Sequence, residues 1–220
     1  MNTHSFNFRG ATLIALGSGA LFWPDANLLV VSDLHLGKSE RIARRGGAAL
    51  PPYETRDTLT RLEADLASTG ARRVVCLGDS FDDIAASEAL RDEETLWITR
   101  LQAGREWIWI EGNHDPGPLD FGDTHRAELA LSPLIFRHIA QPGAVGEVSG
   151  HFHPKASIAL RGRRISRPAF LVDADRLILP AFGTYTGGLR SDAAVLCALM
   201  RPGAQAILTG QTPVVIPMPR

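Results

Sequence analysis

The chain has 220 residues, 45% hydrophobic and 21% charged, with a formal charge of −1. That size fits one α/β domain over residues 1–220 with one large core, and the composition argues against disorder. The small net charge argues against bulk-charge binding of nucleic acid, and no apolar run approaches a membrane span.

In chain order, Met1–Gly10 lacks the basic stretch and apolar core of a secretory signal, so a cytoplasmic location is expected. Strands are expected at Ala11–Leu16 and Ala20–Trp23. Leu28–Ser32 follows, in which Leu28–Val31 is an unbroken apolar run; it stops at Asp33-Leu34-His35 and reads as a strand buried on both faces. A short basic cluster, Lys38 to Arg45, reads locally as a solvated loop. After Pro51-Pro52, apolar residues recur at helical spacing over Tyr53–Ser68, with Gly70 as the stop. Strand Arg73–Leu77 ends at Gly78-Asp79; a helix is then expected over Ser87–Ala103, capped by Ser87 and closed by Gly104. Strand Glu106–Ile110 ends at Gly112-Asn113-His114-Asp115.

This alternation predicts parallel pairing with right-handed crossovers, and in such sheets ligands gather at the carboxyl ends of the strands. Beyond residue 124 the helical pattern fades. Strands are expected at His125–Ala130, Leu134–His138, Gly146–Gly150, Ala156–Leu160, Ala169–Asp173, Arg176–Leu179 and Ala193–Leu199, in a second sheet packed on the first. A second basic cluster, Arg161 to Arg167, also reads as a loop. Cys76 and Cys197 each lie in an apolar run and read as buried structural thiols.

Of the seven histidines, His35, His114, His138, His151 and His153 fall in short polar islands just after strand-like runs, whereas His4 and His125 do not. His138 alone, in Phe136-Arg137-His138-Ile139, could equally be a hydrogen-bonded structural residue. The joint order Asp-x-His, Gly-Asp, Gly-Asn-His-Asp and Gly-His-x-His argues otherwise. Imidazole nitrogens mixed with carboxylate and amide oxygens suit manganese, iron or zinc, whereas calcium or magnesium would draw mainly oxygen ligands. There are too many candidates for one closed tetrahedron, so two ions fit better, and paired ions about 3.5–4 Å apart suit hydrolysis of a phosphate ester.

The series Asp33-Leu34-His35, Gly78-Asp79-Ser80-Phe81-Asp82, Gly112-Asn113-His114-Asp115, His138 and Gly150-His151-Phe152-His153 resembles that of the calcineurin-like metallophosphoesterases, in the family's order over residues 33–153. The resemblance implies a four-layer α/β/β/α sandwich of two mixed sheets flanked by helices. It implies that Asp33, His35, Asp79 and His153 hold one divalent metal and that Asp79, Asn113, His138 and His151 hold the other. Manganese is the expected ion, with iron or zinc as alternatives. A metal-bound hydroxide would attack phosphorus. His114 would protonate the leaving alkoxide, with Asp115 orienting its ring, and Asp82 would hydrogen-bond a ligand or His114.

More narrowly, Asp-Leu-His-Leu-Gly-Lys, Gly-Asp-Ser-Phe, Gly-His-Phe-His-Pro-Lys and Pro180-Ala-Phe-Gly-Thr-Tyr-Thr-Gly-Gly resemble the bacterial DNA-ligase-associated metallophosphoesterases. Asp82 stands where that family most often has His. The resemblance implies a diesterase or endonuclease acting on DNA in repair, alongside a ligase or helicase, with Lys38, Arg41, Arg44 and Arg45 as phosphate contacts. The alternatives are a hydrolase of phosphomonoesters or of nucleotide pyrophosphates, and a non-catalytic, metal-stabilised adaptor. A dinucleotide-binding reading of Gly17-Ser18-Gly19 fails because Phe22 stands where the third glycine belongs.

Overall fold

In the computed structural model, which describes residues 2–48, 50–117, 121–122, 124–160 and 162–220, two sheets pack face to face between layers of helix. The first sheet runs β1 (Thr3–Phe8), β2 (Ala11–Leu16), β3 (Leu21–Trp23), β4 (Leu28–Val31), β5 (Arg73–Leu77), β6 (Glu106–Ile110) and β7 (Thr124–Arg126), in that spatial order. Pairing is antiparallel from β1 to β4 and parallel from β4 to β7. The parallel half is reached by helical crossovers: α1 (Lys38–Arg44) and α2 (Glu54–Thr69), then α3 (Ile84–Glu88) and α4 (Asp92–Gln102).

The second sheet is formed by β8 (Glu128–Leu131), β9 (Leu134–Arg137), β10 (Glu147–Ser149), β12 (Arg163–Val172), β13 (Arg176–Ile178), β14 (Gln205–Leu208) and β15 (Val214–Pro217), with β11 (Lys155–Leu160) paired to β12. Its spatial order is β15-β14-β12-β13-β10-β9-β8, and β9, β10 and β13 run parallel. Helix α5 (Ala194–Leu199) lies on its outer face.

Three apolar layers follow from the alternation of side chains along the strands. Leu28, Val30, Val75, Leu77, Ile108 and Ile110 face the second sheet and meet Phe136, Val148, Phe170 and Leu177. Their neighbours Leu29, Val31, Val74, Cys76, Trp107 and Trp109 face the other way, onto Leu59, Leu62 and Leu66 of α2 and Ile98 and Leu101 of α4. Leu171, Ile178, Ala206 and Leu208 cover Leu196 of α5 and Met200. This is the expected α/β/β/α sandwich of mixed sheets. No helix among the described residues is long and apolar enough to cross a membrane.

Four local expectations are corrected. The helix expected over Ser87–Ala103 is two: Asp83 caps α3 by accepting from the Ala86 N–H at 2.8 Å, and the Glu94 carboxylate accepts from the Arg91 N–H to open α4. Ser87 does not cap; its hydroxyl donates to the Ile84 carbonyl. The strand expected over Ala193–Leu199 is the short helix α5, Ala194–Leu199, because six apolar residues rich in Ala and Leu carry no period that separates strand from helix, and both residues favour helix. His125–Ala130 divides between β7 and β8, so the chain changes sheets there. Both basic clusters lie on regular elements: the first forms α1, and residues 163–167 of the second begin β12, while Arg161 lies outside the described residues.

Candidate metal centre

Strands β4, β5 and β6 of the first sheet and β9 and β10 of the second end at one edge of the sandwich, and each delivers a polar loop there. The loops after β4 and β5 continue the ladder beyond their strands: His35 N–H donates to the Asp79 carbonyl at 2.9 Å, and Leu36 N–H to that of Ser80 at 2.9 Å. The backbone is held in the left-handed region at Asp33, His35, Asp79, His151 and His153, with φ between 46° and 69°. Glycine adopts that conformation freely; other residues pay for it and are found there chiefly where the side chain is needed.

Donor atoms gather in three groups among the described residues; His35, Asp82 and His114 form one, and the other two carry the expected ligands. In the first, His35 Nε2 and His153 Nε2 face each other at 3.4 Å, and Asp33 Oδ1 lies 3.1 Å from His153 Nε2. Asp33 is fully buried; its Oδ2 accepts from Ser32 Oγ and from the His151 N–H, while its Oδ1 has no hydrogen-bond partner. In the second, His138 Nε2 lies 3.0 Å from Asn113 Oδ1, 3.3 Å from His151 Nδ1 and 3.4 Å from Asp79 Oδ2. Each cluster, Asp33/His35/His153 and Asp79/His138/His151, is compact enough for one ion.

The far sides of the rings point the same way. His138 Nδ1 lies 2.7 Å from the Leu77 carbonyl, which accepts its proton, so Nε2 turns a lone pair into the cluster. His35 Nδ1 lies 2.8 Å from Asp82 Oδ1, the spacing of a carboxylate–histidine pair although out of line for a hydrogen bond, and its Nε2 faces the cluster. Lone pairs facing each other at such distances, beside an unpartnered buried carboxylate oxygen, repel one another until a cation lies between them. The donor set therefore fits divalent metal ions.

Charges around the centre are strongly shifted. Burial pushes the Asp79 carboxyl up, but the His138 hydrogen bond, the His138 charge and the His114 N–H hold it down at about 2. Asp33 is lowered too, as the His153 and His138 contacts outweigh burial. Burial likewise works against Asp82, yet His35, Lys38 and Arg41 hold it below the usual carboxylate range. His138 is raised despite burial, chiefly by the hydrogen bond to Asp79; His151 is lowered by burial and by the charge on His138.

A family model described as calcineurin-like phosphoesterase matches residues 26–210. The chain belongs to that family. It is a metal-dependent phosphoester hydrolase. Among solved structures it is similar to the crystal structure of Pseudomonas putida nuclease MPE, with 29% identity and a TM-score of 0.76 over 97% of this chain and 100% of that one. It is more remotely similar to Yfce, a phosphoesterase from E. coli, with 12% identity and a TM-score of 0.41 over 87% of this chain and 99% of that one. No curated protein matches the chain significantly.

In this phosphoesterase His114 stands on the open side of the clusters. Its N–H donates to Asp79 Oδ1 at 2.8 Å, its Nδ1 lies 2.8 Å from the Asp82 carbonyl, and its Nε2 is 4.0 Å from Asp79 Oδ2. The expected orienting contact from Asp115 is a correction. Asp115 is buried beneath the loop, where Oδ1 accepts the N–H groups of Asp79 (2.9 Å) and Gly112 (3.1 Å) and Oδ2 those of Ser80 (2.6 Å) and Phe81 (3.2 Å). A short carboxylate one residue beyond His114 reaches these inward-pointing N–H groups; the Asp82 carbonyl is what reaches the ring. Burial and the neighbouring Asp79 charge push the Asp115 carboxyl up to about 6, against the pull of the N–H groups.

The basic cluster on α1 is turned onto acids. Lys38 Nζ and Arg41 Nη1 contact Asp82 at 3.2 and 2.8 Å, and Arg44 and Arg45 contact Asp83 at 2.8 and 3.5 Å. Asp82 thus joins His35, Lys38 and Arg41 at one buried carboxylate. Cys76 is buried, with its thiol pushed up by burial, and Cys197 is half-buried; both are free and neither belongs to a donor cluster.

Sequence reasoning missed two supports. Ser32 fixes the Asp33 carboxylate, its Oγ donating to Oδ2 at 2.5 Å. Residues 182–189 form a strap over the loops: Phe182 N–H donates to the Ser32 carbonyl, Gly183 N–H to that of Asp33 and Leu189 N–H to that of Phe152. The Pro180-to-Gly188 run was the available signal, since a Cβ at Gly183 would lie 2.0 Å from the Leu34 carbonyl oxygen.

Proposed function

We propose that the chain, acting as one domain over residues 1–220, is a dinuclear-metal phosphodiesterase that cleaves DNA as a nuclease. The observation that carries this reading is the adjacency of two donor clusters: His138 Nδ1 of the second lies 3.9 Å from Asp33 Oδ1 of the first, and the His151 N–H of the second donates to Asp33 Oδ2 at 3.0 Å. Near full-length similarity to a nuclease supports the choice of substrate.

Asp33, His35, Asp79 and His153 would hold one ion and Asp79, Asn113, His138 and His151 the other, with manganese expected ahead of iron or zinc. When bound, such a pair supplies Lewis-acid contacts to the phosphoryl oxygens and lowers the pKa of water. Asp79 is suited to both ions because the His114 N–H fixes Oδ1 while Oδ2 faces His138. Proton transfer falls to His114. The Asp82 carbonyl accepts a hydrogen bond from its Nδ1–H and so supports the imidazolium, whose Nε2 proton passes to the leaving oxygen as the P–O bond to it breaks and the oxygen of a water that has given up a proton to solvent bonds to phosphorus.

Lys38 and Arg41 enter as partners of Asp82, and Arg44 and Arg45 as partners of Asp83; their contact with substrate phosphate is secondary to those pairs. The setting is DNA repair in the cytoplasm, beside a ligase or helicase. The test is hydrolysis of a chromogenic phosphodiester and its matching monoester by chelator-treated protein, before and after manganese is added. Manganese-restored diester cleavage is expected. Cleavage of the monoester alone would make the chain a phosphatase, and two bound metals with no cleavage would make it an adaptor.

A further inference from the structure

The chain has two tyrosines, and Tyr53 and Tyr185 stand side by side with ring centroids 5.3 Å apart. Both belong to segments tied to the metal loops. Tyr53 precedes α2, whose Thr55 Oγ1 accepts from the Gly37 N–H at 3.0 Å, and whose Glu54 carboxylate accepts from the Ser39 N–H at 2.9 Å. Tyr185 sits mid-strap, between Gly183 on the Asp33 carbonyl and Gly188, where a Cβ would lie 2.1 Å from the His153 carbonyl oxygen.

The pair is built rather than incidental. Tyr185 has φ 63°, a conformation that a bulky aromatic residue rarely adopts. Its neighbour Thr184 is pinned to α2 by Asp57, Thr58 and Arg61, and the Tyr185 hydroxyl donates to the Pro51 carbonyl at 3.1 Å. These contacts hold the half-buried Tyr185 against Tyr53, with the rings tilted by 59°, and Tyr53 is still 51% exposed. A lone exposed ring would need no explanation; two fixed together beside a phosphoesterase centre do.

The charge arrangement says what such a surface is for. A protein that grips a single strand combines cations along the backbone with aromatic faces under the bases. Here the cations of α1 are paired with Asp82 and Asp83, so base contact must carry a larger share of the grip. We propose that Tyr53 and Tyr185 form a stacking platform for an unpaired nucleobase of the strand being cut, an inference that rests on the phosphodiesterase reading above. The base must be unpaired and splayed, because within a duplex its faces are covered by neighbouring bases.

The test uses a single-stranded oligonucleotide carrying 2-aminopurine, whose fluorescence falls on stacking, mixed with manganese-loaded protein and read before cleavage accumulates. Wild type and the ring-preserving Tyr53→Trp should quench it, while Tyr53→Ala should bind about tenfold more weakly, the usual effect of removing one stacked aromatic. An abasic strand should compete about tenfold less well than a base-bearing strand against wild type, and that preference should shrink in Tyr53→Ala. No quenching by wild type, equal quenching by Tyr53→Ala, or equal competition by the abasic strand would overturn the platform. Quenching without cleavage of any strand would instead overturn the nuclease reading and leave the platform standing.

Discussion

Replacing Asp115 by Asn separates two roles for that carboxylate. In the structure its two oxygens accept four backbone N–H groups, those of Asp79, Ser80, Phe81 and Gly112. Asn keeps the shape but presents one acceptor oxygen and turns an NH2 group towards the remaining donors, stranding about two buried N–H groups at about 1–3 kcal/mol each. The expected loss is therefore about 2–6 kcal/mol, a large part of the 5–15 kcal/mol that holds a typical domain together. At about 2–4 °C per kcal/mol for a chain of this size, melting should fall by roughly 10 °C. Because Asp79 and its loop hang from these bonds, bound metal should fall with stability. The assay is thermal unfolding followed by circular dichroism, with metal counted on the same samples. If Asp115→Asn melts like wild type, keeps its metal and loses only turnover on esters with poor leaving groups, then Asp115 acts on His114 and the scaffold argument is wrong.

Four further outcomes are expected. His114→Ala should keep its metal but lose about 10²–10⁴-fold in turnover on a diester with a poor leaving group, and far less on a p-nitrophenyl ester; equal losses on both would remove His114 as the acid. Asp79→Asn should lose metal and activity together, measured by elemental analysis beside a cleavage assay, and two retained metals per chain would contradict the bridging role proposed for it. Gly150→Ala would bring a Cβ to 1.7 Å from Ser32 Oγ and 2.6 Å from Asp33 Oδ2, so stability should drop by about 1–3 kcal/mol as the Asp33 loop is displaced; an unchanged melting temperature would show that the loop yields freely. Asp65→Asn bears on pH: burial raises the Asp65 carboxyl, which accepts from Ser18 Oγ at 2.6 Å. A carboxyl raised on folding favours the fold below its unfolded value of about 4 and loses that advantage as pH rises through its folded value. The variant should melt higher than wild type at pH 7–8 and no higher below about pH 4, and an unvarying difference would refute the assignment.

The centre was legible because its chemistry is local: each donor group follows a strand by one to four residues, so Asp33, Asp79, Asn113, His138 and His151 could be read from where apolar runs stop. The support was not legible, because it depends on which group each side chain reaches in three dimensions. Asp115 and His114 are adjacent in the chain yet point to opposite sides of their loop, and Asp82 supplies its carbonyl to one histidine and its carboxylate to another. The α1 cluster looked like a solvated loop because its charge pattern hides a helix whose cations reach Asp82 and Asp83, about 40 residues away. In the second half, Ala194–Leu199 shows the limit of periodicity: a run of six apolar residues fits either a strand of that sheet or the helix that covers it.

The most direct test is to titrate chelator-treated protein with manganese while following cleavage of a single-stranded oligonucleotide and counting bound metal in the same samples. The proposed dinuclear centre, with Asp79 holding both ions, requires cleavage that is absent in stripped protein and reaches its plateau at two metals per chain. A plateau at one metal, or undiminished cleavage by the stripped protein, would contradict the dinuclear centre.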